Sequence, residues 1–260
     1  MKKNHDVIII GAGIMGVMSA YRLVKAGLSV LVVECKDSCA GAGGGTNGII
    51  SWYTKQPGYH RQMFLRSLDE FRRLESELGD IGMVWDEGYI QLAENELEME
   101  DVLHSAATVE VPQGFSPLEV LDRKQTLEME PNVRPDVLGA LYVPDTGYID
   151  MFTYLFTVLR AAKAYGADVL NETEVTEFII SGSRVCGVRT QRRDFFAETV
   201  VNCGGYYGGQ IAAMAGLSLP ILPRRGQTVV CQQTRPVVYH YLASSLYNII
   251  KYPPELIQDE

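Results

Sequence analysis

The strongest constraint on this chain is a glycine pattern, Gly11-Ala12-Gly13-Ile14-Met15-Gly16, set directly behind four apolar β-branched residues, Val7-Ile8-Ile9-Ile10. The run predicts a short, fully buried strand, a tight turn at Gly11 and a helix reaching about Ala26. In that setting Gly11 makes the turn, Gly13 lets the backbone approach a pyrophosphate, and Gly16 lets helix and strand pack closely. The helix N-terminus adds unpaired N–H groups and a partial positive charge. A second apolar run after Gly27, Ser29-Val30-Leu31-Val32-Val33, ends in Glu34. An acid at that tip is placed to accept hydrogen bonds from an adenosine ribose. Strand, turn, helix, strand and acid follow one another as in a dinucleotide-binding unit.

The 260 residues are 47% hydrophobic and 21% charged, which supports one large domain or two intertwined ones. A net charge of −9 argues against nucleic acid as a partner, since that would need a basic face. Met1-Lys2-Lys3 leads straight into the first strand, which predicts no secretory leader, and no apolar run approaches transmembrane length. Cys35, Cys39, Cys186, Cys203 and Cys231 form no C-x-x-C pair. They read as reduced, buried thiols of a cytoplasmic protein, with no metal centre among them.

Between Lys36 and Ile50 the chain is dominated by small residues, with Gly41, Gly43, Gly44, Gly45 and Gly48. So many glycines cost conformational entropy, which predicts a backbone lying close against a flat or charged ligand. Residues 59–78 have helical spacing, with Phe64, Leu68, Phe71, Leu74 and Leu78 on one face and Gly79 as the stop. Short strands are expected at 83–85 and 89–92, and a surface helix at 94–107. Leu141-Tyr142-Val143 reads as a strand and Pro144-Asp145-Thr146-Gly147 as a turn. Asp150 is placed to cap a helix over 151–165, with Phe152, Leu155, Phe156 and Leu159 facing inward. A strand at 167–170 leads to a β-meander over 174–198. The meander runs into Val200-Val201-Asn202-Cys203-Gly204-Gly205 and a helix over 207–215. The chain therefore twice brings a buried strand to a glycine-rich carboxyl end, and both ends could line one cofactor.

With these pieces in place, the chain resembles the FAD-dependent D-amino-acid oxidase family, in the branch of glycine oxidase, sarcosine oxidase and D-amino-acid dehydrogenases. The matching pieces are the Gly11–Gly16 pattern, Glu34, the loop through Thr46-Asn47-Gly48, and Asp145-Thr146-Gly147-Tyr148-Ile149-Asp150. Val175, the run from Val200 to Gly205, and Leu222-Pro223-Arg224-Arg225-Gly226-Gln227 complete the set. They occur in the family's order over nearly the whole chain. The resemblance implies an α/β fold: a Rossmann-like FAD-binding domain with a β-meander (residues 1–82 and 149–221). It also implies an interleaved, incomplete α+β substrate domain (83–148 and 222–260). It places Gly11, Ala12, Gly13, Ile14, Met15 and Gly16 at the pyrophosphate and Glu34, with Cys35 and Lys36, at the ribose. Gly45, Thr46, Asn47 and Gly48 fall beside the flavin, Val175 at the adenine, and Cys203, Gly204 and Gly205 against the cofactor. The implied reaction oxidises the C–N bond of a small amine or amino acid, with hydride transfer to the flavin.

Two departures from the family stand out. Many relatives carry an arginine where this chain has Thr46. Relatives also continue past the position of Glu260 with elements that close over the flavin, so a fragment or truncated product is expected. No nucleophilic triad is visible around His5, His60, His104 or His240. His5 is expected at the surface, and His60 is a possible point of covalent flavin attachment. Arg225, beside Arg224, could hold a substrate carboxylate, or the pair could simply sit on the surface. Tyr239, Tyr241 and Tyr247 could face a substrate pocket from a strand. One alternative is a non-catalytic FAD-binding subunit, or a truncated fragment, of such an oxidase; the partner would be another oxidase subunit, or the chain forms a homo-oligomer. Another is a nicotinamide-dependent dehydrogenase. The meander and the long glycine loop argue against the latter, and the lack of a redox cysteine pair argues against a disulfide reductase.

Overall fold

A computed structural model describes residues 4–85, 88–232, 235–246 and 249. In chain order these form β1 (Asn4–Ile10), α1 (Ile14–Lys25), β2 (Val30–Val33), β3 (Ile49–Ser51), α2 (Tyr59–Leu78), β4 (Met83–Val84) and β5 (Tyr89–Ala93). There follow α3 (Glu96–Thr108), β6 (Glu119–Asp122), α4 (Arg123–Met129), β7 (Gly139–Val143), β8 (Thr146–Ile149) and α5 (Met151–Ala164). The last are β9 (Asp168–Leu170), β10 (Val175–Ser181), β11 (Arg184–Thr190), β12 (Asp194–Asn202), α6 (Gly208–Ala213) and β13 (Tyr241–Ser244).

Two compact, interleaved units emerge. One comprises residues 1–48, 71–82 and 150–229, the other 49–70, 83–149 and 230–260. Residues 49–70 sit with the second unit because β3 pairs antiparallel with β8. Arg225 falls in the first unit.

The first unit is built on a six-stranded sheet in the order β10-β11-β12-β1-β2-β9. β12, β1, β2 and β9 run parallel, and the meander β10-β11-β12 is antiparallel. β2 and the Val7-Ile8-Ile9-Ile10 part of β1 are apolar and buried because a parallel strand inside an α/β unit is covered on both faces. One core cluster gathers Ile8, Ile10, Leu31, Val33, Val188 and Phe195. Helix α5 starts at Asp150, whose Oδ1 accepts the Thr153 N–H at 2.7 Å, as expected of a cap. Its inner face differs from the expected one: Tyr154, Leu155, Val158 and Leu159 are buried, while Phe152 and Phe156 are exposed and stacked at 6.4 Å. His5 is buried, not at the surface, with Nδ1 3.3 Å from the Ser29 hydroxyl and Nε2 3.9 Å from Asp168. The helix expected at 207–215 is a 3₁₀ turn over Gly205–Tyr207 followed by α6.

The second unit holds a four-stranded sheet, β13-β5-β7-β6, and a three-stranded one, β3-β8-β4. β8 begins at Thr146, inside the expected turn, because Thr146 pairs with Ser51. The acidic helix α3 is more than a surface helix. It buries Val102 and Glu98, and Val102 packs with Trp52, Tyr53, Tyr89 and Leu141. Tyr241 opens β13, and Tyr239 precedes it, half exposed. Tyr247 and the strand-like run expected at 252–260 lie outside the described residues.

Candidate functional site

The carboxyl ends of three neighbouring strands meet in the first unit. Ile10 is in register with Asn202 on one side and Val33 on the other. Just beyond, the Cys203 N–H donates to Ile10 O at 2.8 Å and the Gly11 N–H to Val33 O at 2.8 Å. Cys203, Gly11 and Glu34 therefore stand side by side on the edge where open α/β sheets bind ligands.

The three glycines of the turn have separate causes. Gly11 has φ +104°, and a Cβ there would lie 2.5 Å from Cys203 O. A Cβ on Gly16 would collide with Gly11 O, so this glycine is required by close packing alone. A Cβ on Gly13 would meet nothing within 4 Å. The chain's own packing does not require that glycine, and the open cradle above it is free for a ligand group. Gly13 is also the N-cap of α1, and neither a side-chain cap nor an acid in the first turn compensates the helix end. The first intrahelical bond is Val17 N–H to Gly13 O at 2.9 Å, so the preceding N–H groups point at an anion site.

Glu34 is held in place by its surroundings. Oε2 accepts the Ala12 N–H at 2.7 Å, and Oε1 accepts the Lys36 N–H at 2.9 Å and the Cys35 thiol at 3.4 Å. Its backbone is tied to the segment after β9 through Glu34 N–H to Leu170 O (2.9 Å) and Thr173 N–H to Glu34 O (2.8 Å). That segment leads into buried Val175, the first residue of β10. Cys35 and Cys231 are exposed, against the expectation of five buried thiols. Partial desolvation of its sulfur, reinforced by Glu34, pushes the Cys35 thiol up, and burial raises Cys203 against an opposing hydrogen bond from Ser19. Neither is an activated thiolate.

The glycine loop is anchored by the buried Cys39, whose N–H donates to Ala12 O at 3.3 Å and whose φ is +70°. A Cβ on Gly44 would strike Cys39 O at 2.5 Å and the Phe152 ring at 3.2 Å. Asp37, Ser38, Cys39, Gly44 and the exposed Phe152 line a shallow depression here. Further on, Thr46 Oγ1 accepts the Gly48 N–H at 3.2 Å, and the Thr228 hydroxyl donates to Gly45 O at 3.4 Å. Thr46 and Asn47 are exposed, and Gly48 is buried.

One organising residue was not among the predicted site residues. Asn202 Oδ1 accepts the Gly204 N–H at 3.1 Å and Nδ2 donates to Gly208 O at 2.9 Å, which shapes the turn after β12. The signal was an asparagine before Gly-Gly, where its side chain competes for backbone groups. Arg224 and Arg225 are exposed on a stretch without regular secondary structure, and His60 is exposed at the start of α2.

Against known proteins, the family described as FAD dependent oxidoreductase matches residues 6–250. The chain is 30% identical over 234 residues to one component of the anaerobic glycerol-3-phosphate dehydrogenase of Escherichia coli (strain K12), covering 88% of this chain and 42% of that protein. Glycine oxidase of Bacillus licheniformis is 28% identical over 233 residues, covering 87% of this chain and 61% of that protein. Among solved structures, glycine oxidase from Geobacillus kaustophilus shares the fold, with a TM-score of 0.78 at 24% identity over 93% of this chain and 66% of that one. The chain thus spans less than two thirds of the length of these relatives.

Proposed function

Since this chain belongs to the family of FAD-dependent oxidoreductases, we propose that it binds FAD at the strand ends of the first unit. There it would serve oxidation of the C–N bond of a small amine or amino acid. The observation that carries the cofactor reading is the open cradle over Gly13, facing an uncompensated helix end with Glu34 oriented beside it. When bound, FAD supplies the two-electron acceptor that side chains lack. The N–H groups of Ile14, Met15 and Gly16 hold the pyrophosphate. Glu34, kept in position by the Ala12 and Lys36 N–H groups, accepts the ribose hydroxyls. The Val175 backbone meets the adenine. Cys203, Gly204 and Gly205 lie against the cofactor, and Gly45, Thr46, Asn47 and Gly48 lie beside the flavin. Arg225 is the candidate for a substrate carboxylate, as a bidentate donor.

The amine or amino-acid assignment draws on the glycine oxidase relative and on the beta chain of sarcosine oxidase from Arthrobacter sp, 28% identical over 244 residues. A second reading has support of its own: two relatives are named as subunits, which favours this chain as the FAD-binding part of a multi-subunit oxidase assembly. Among the described residues no helix is long and apolar enough to cross a membrane. We place the protein in the cytoplasm on the strength of its five free cysteines.

The test is an absorption spectrum of the purified chain before and after acid precipitation. Bands at about 375 and 450 nm that pass into the supernatant are the expected result for bound, non-covalent FAD. A colourless protein that takes up no added FAD would refute the reading. Oxidation of glycine, sarcosine or a D-amino acid by the chain alone supports the catalytic form. Oxidation only after a partner chain is added supports the other.

A further inference from the structure

We propose, resting on the FAD reading above, that Gln191 is a positioning residue for cofactor binding, acting on Glu34 from the β11–β12 turn without touching the ligand. Past Val33 and Leu170, the last residues in register on β2 and β9, the two segments stay joined by single bonds. The Glu34 N–H donates to Leu170 O (2.9 Å), the Thr173 N–H to Glu34 O (2.8 Å) and the Glu172 N–H to Lys36 O (3.1 Å). The buried Ser38 adds a hydroxyl bond to Asn171 Oδ1 at 3.0 Å. Within this stretch Glu172 stands at φ +47°, a left-handed conformation that a side chain disfavours. Such a conformation persists only where its surroundings over-determine it, and it recurs at ligand clamps.

What holds Glu172 there comes from the turn between β11 and β12. Gln191 uses both ends of its amide: Nε2 donates to Glu172 O at 3.1 Å, and Oε1 accepts the Glu174 N–H at 2.7 Å. Arg192 Nη2 donates to the same Glu172 O, also at 3.1 Å. Glu172 is therefore fixed on both sides, through its N–H by Lys36 and through its carbonyl by the turn. From Lys36 one more bond reaches the site, its own N–H donating to Glu34 Oε1 at 2.9 Å. The turn does not need the Gln191 side chain for its own closure. Thr190 closes it, its hydroxyl donating to Arg193 O at 2.8 Å and accepting the Arg192 and Arg193 N–H groups at 3.2 and 3.1 Å. Gln191, Glu172 and Glu174 are exposed. Bonds at the surface contribute little to global stability, so a two-ended clamp there sets local backbone geometry more than it holds the fold.

The experiment measures dissociation constants for FAD and ADP-ribose, and the melting temperature without ligand, for the 260-residue chain, Gln191→Ala, Glu34→Ala and the double variant. Gln191→Ala is expected to weaken both ligands about three- to tenfold, the scale of one hydrogen bond, while melting within about 2 °C of wild type. In the Glu34→Ala background the same change should weaken binding no more than about twofold, because the carboxylate it positions is gone. Gln191→Ala binding like wild type while Glu34→Ala is weakened would overturn the role of Gln191 and leave the FAD site standing. A loss that persists in full in the double variant would show that Gln191 does not act through Glu34, and a larger drop in melting temperature would make it merely structural; either overturns the proposal. If Glu34→Ala also binds like wild type, or the wild-type chain takes up neither ligand, the FAD reading itself falls, and Gln191 with it.

Discussion

The two units solve opposite problems with opposite materials. In the first, the strand ends are shaped by backbone: N–H groups at the start of α1, a turn at Gly11, and side chains mainly absent where space is needed. In the second, buried polar side chains tie the sheet together. Gln91 is fully buried and donates to Asp101 Oδ2 at 3.0 Å and to the Ser245 hydroxyl at 2.6 Å. Glu130, also fully buried, accepts from the Tyr239 N–H at 2.9 Å and the His240 N–H at 2.6 Å, and its Oε1 lies 2.8 Å from His240 Nδ1. A surface made of backbone can stay empty without leaving a buried charge unpaired. A network made of side chains cannot lose a member without orphaning the others.

That contrast can be broken most directly at Glu130. Replacing it by alanine orphans two N–H groups and the imidazole at once, and should cost about 3–5 kcal/mol of unfolding free energy in urea titrations. A loss under about 1 kcal/mol would show that the network is not what holds β13. Gly16→Ala should cost about 3 kcal/mol, because its methyl group collides with Gly11 O and only a backbone shift can relieve it. Glu34→Ala should weaken FAD binding by roughly 1.5–3 kcal/mol, the value of a charge-assisted hydrogen bond. Isothermal titration that finds unchanged affinity would remove Glu34 from the site. Gly13→Ala sharpens the comparison further: thermal denaturation should change by no more than about 0.5 kcal/mol, the scale of an N-cap change. FAD affinity should nevertheless fall about tenfold, as the methyl fills the cradle.

The smallest effect belongs to Asp101, whose carboxyl is pushed up by burial despite hydrogen bonds from Ser245 and Gln91. A raised folded-state pKa contributes stability at low pH that is lost as pH rises through that value. Asp101→Asn should therefore gain on the wild type as pH climbs through the acid range and keep a constant lead above it. Parallel pH–stability curves would refute this.

Much of the fold was legible in residues whose signals are local. β1, the turn at Gly11 and β2 follow from unbroken β-branched runs and glycines, and α2 spans Tyr59–Leu78 as its apolar spacing requires. Asp150 caps α5 because an aspartate before a helix bonds within three residues of itself. The misreadings concern facing. Phe152 and Phe156 match an inward pattern yet are exposed, His5 is buried, and acidic α3 covers an apolar cluster.

By itself, then, the sequence determined the strand–turn–helix unit, the acid after β2 and the meander, since each depends on neighbours a few residues away. Tertiary structure alone decided the anchoring of Glu34 by Ala12, the tyrosine pair beside Gly205, and the burial of Glu130 under residues 239 and 240. Those depend on strand order and on contacts between residues of distant segments, as Glu130 and His240 are, 110 positions apart in the chain. No periodicity in a single chain records which distant segment arrives beside it.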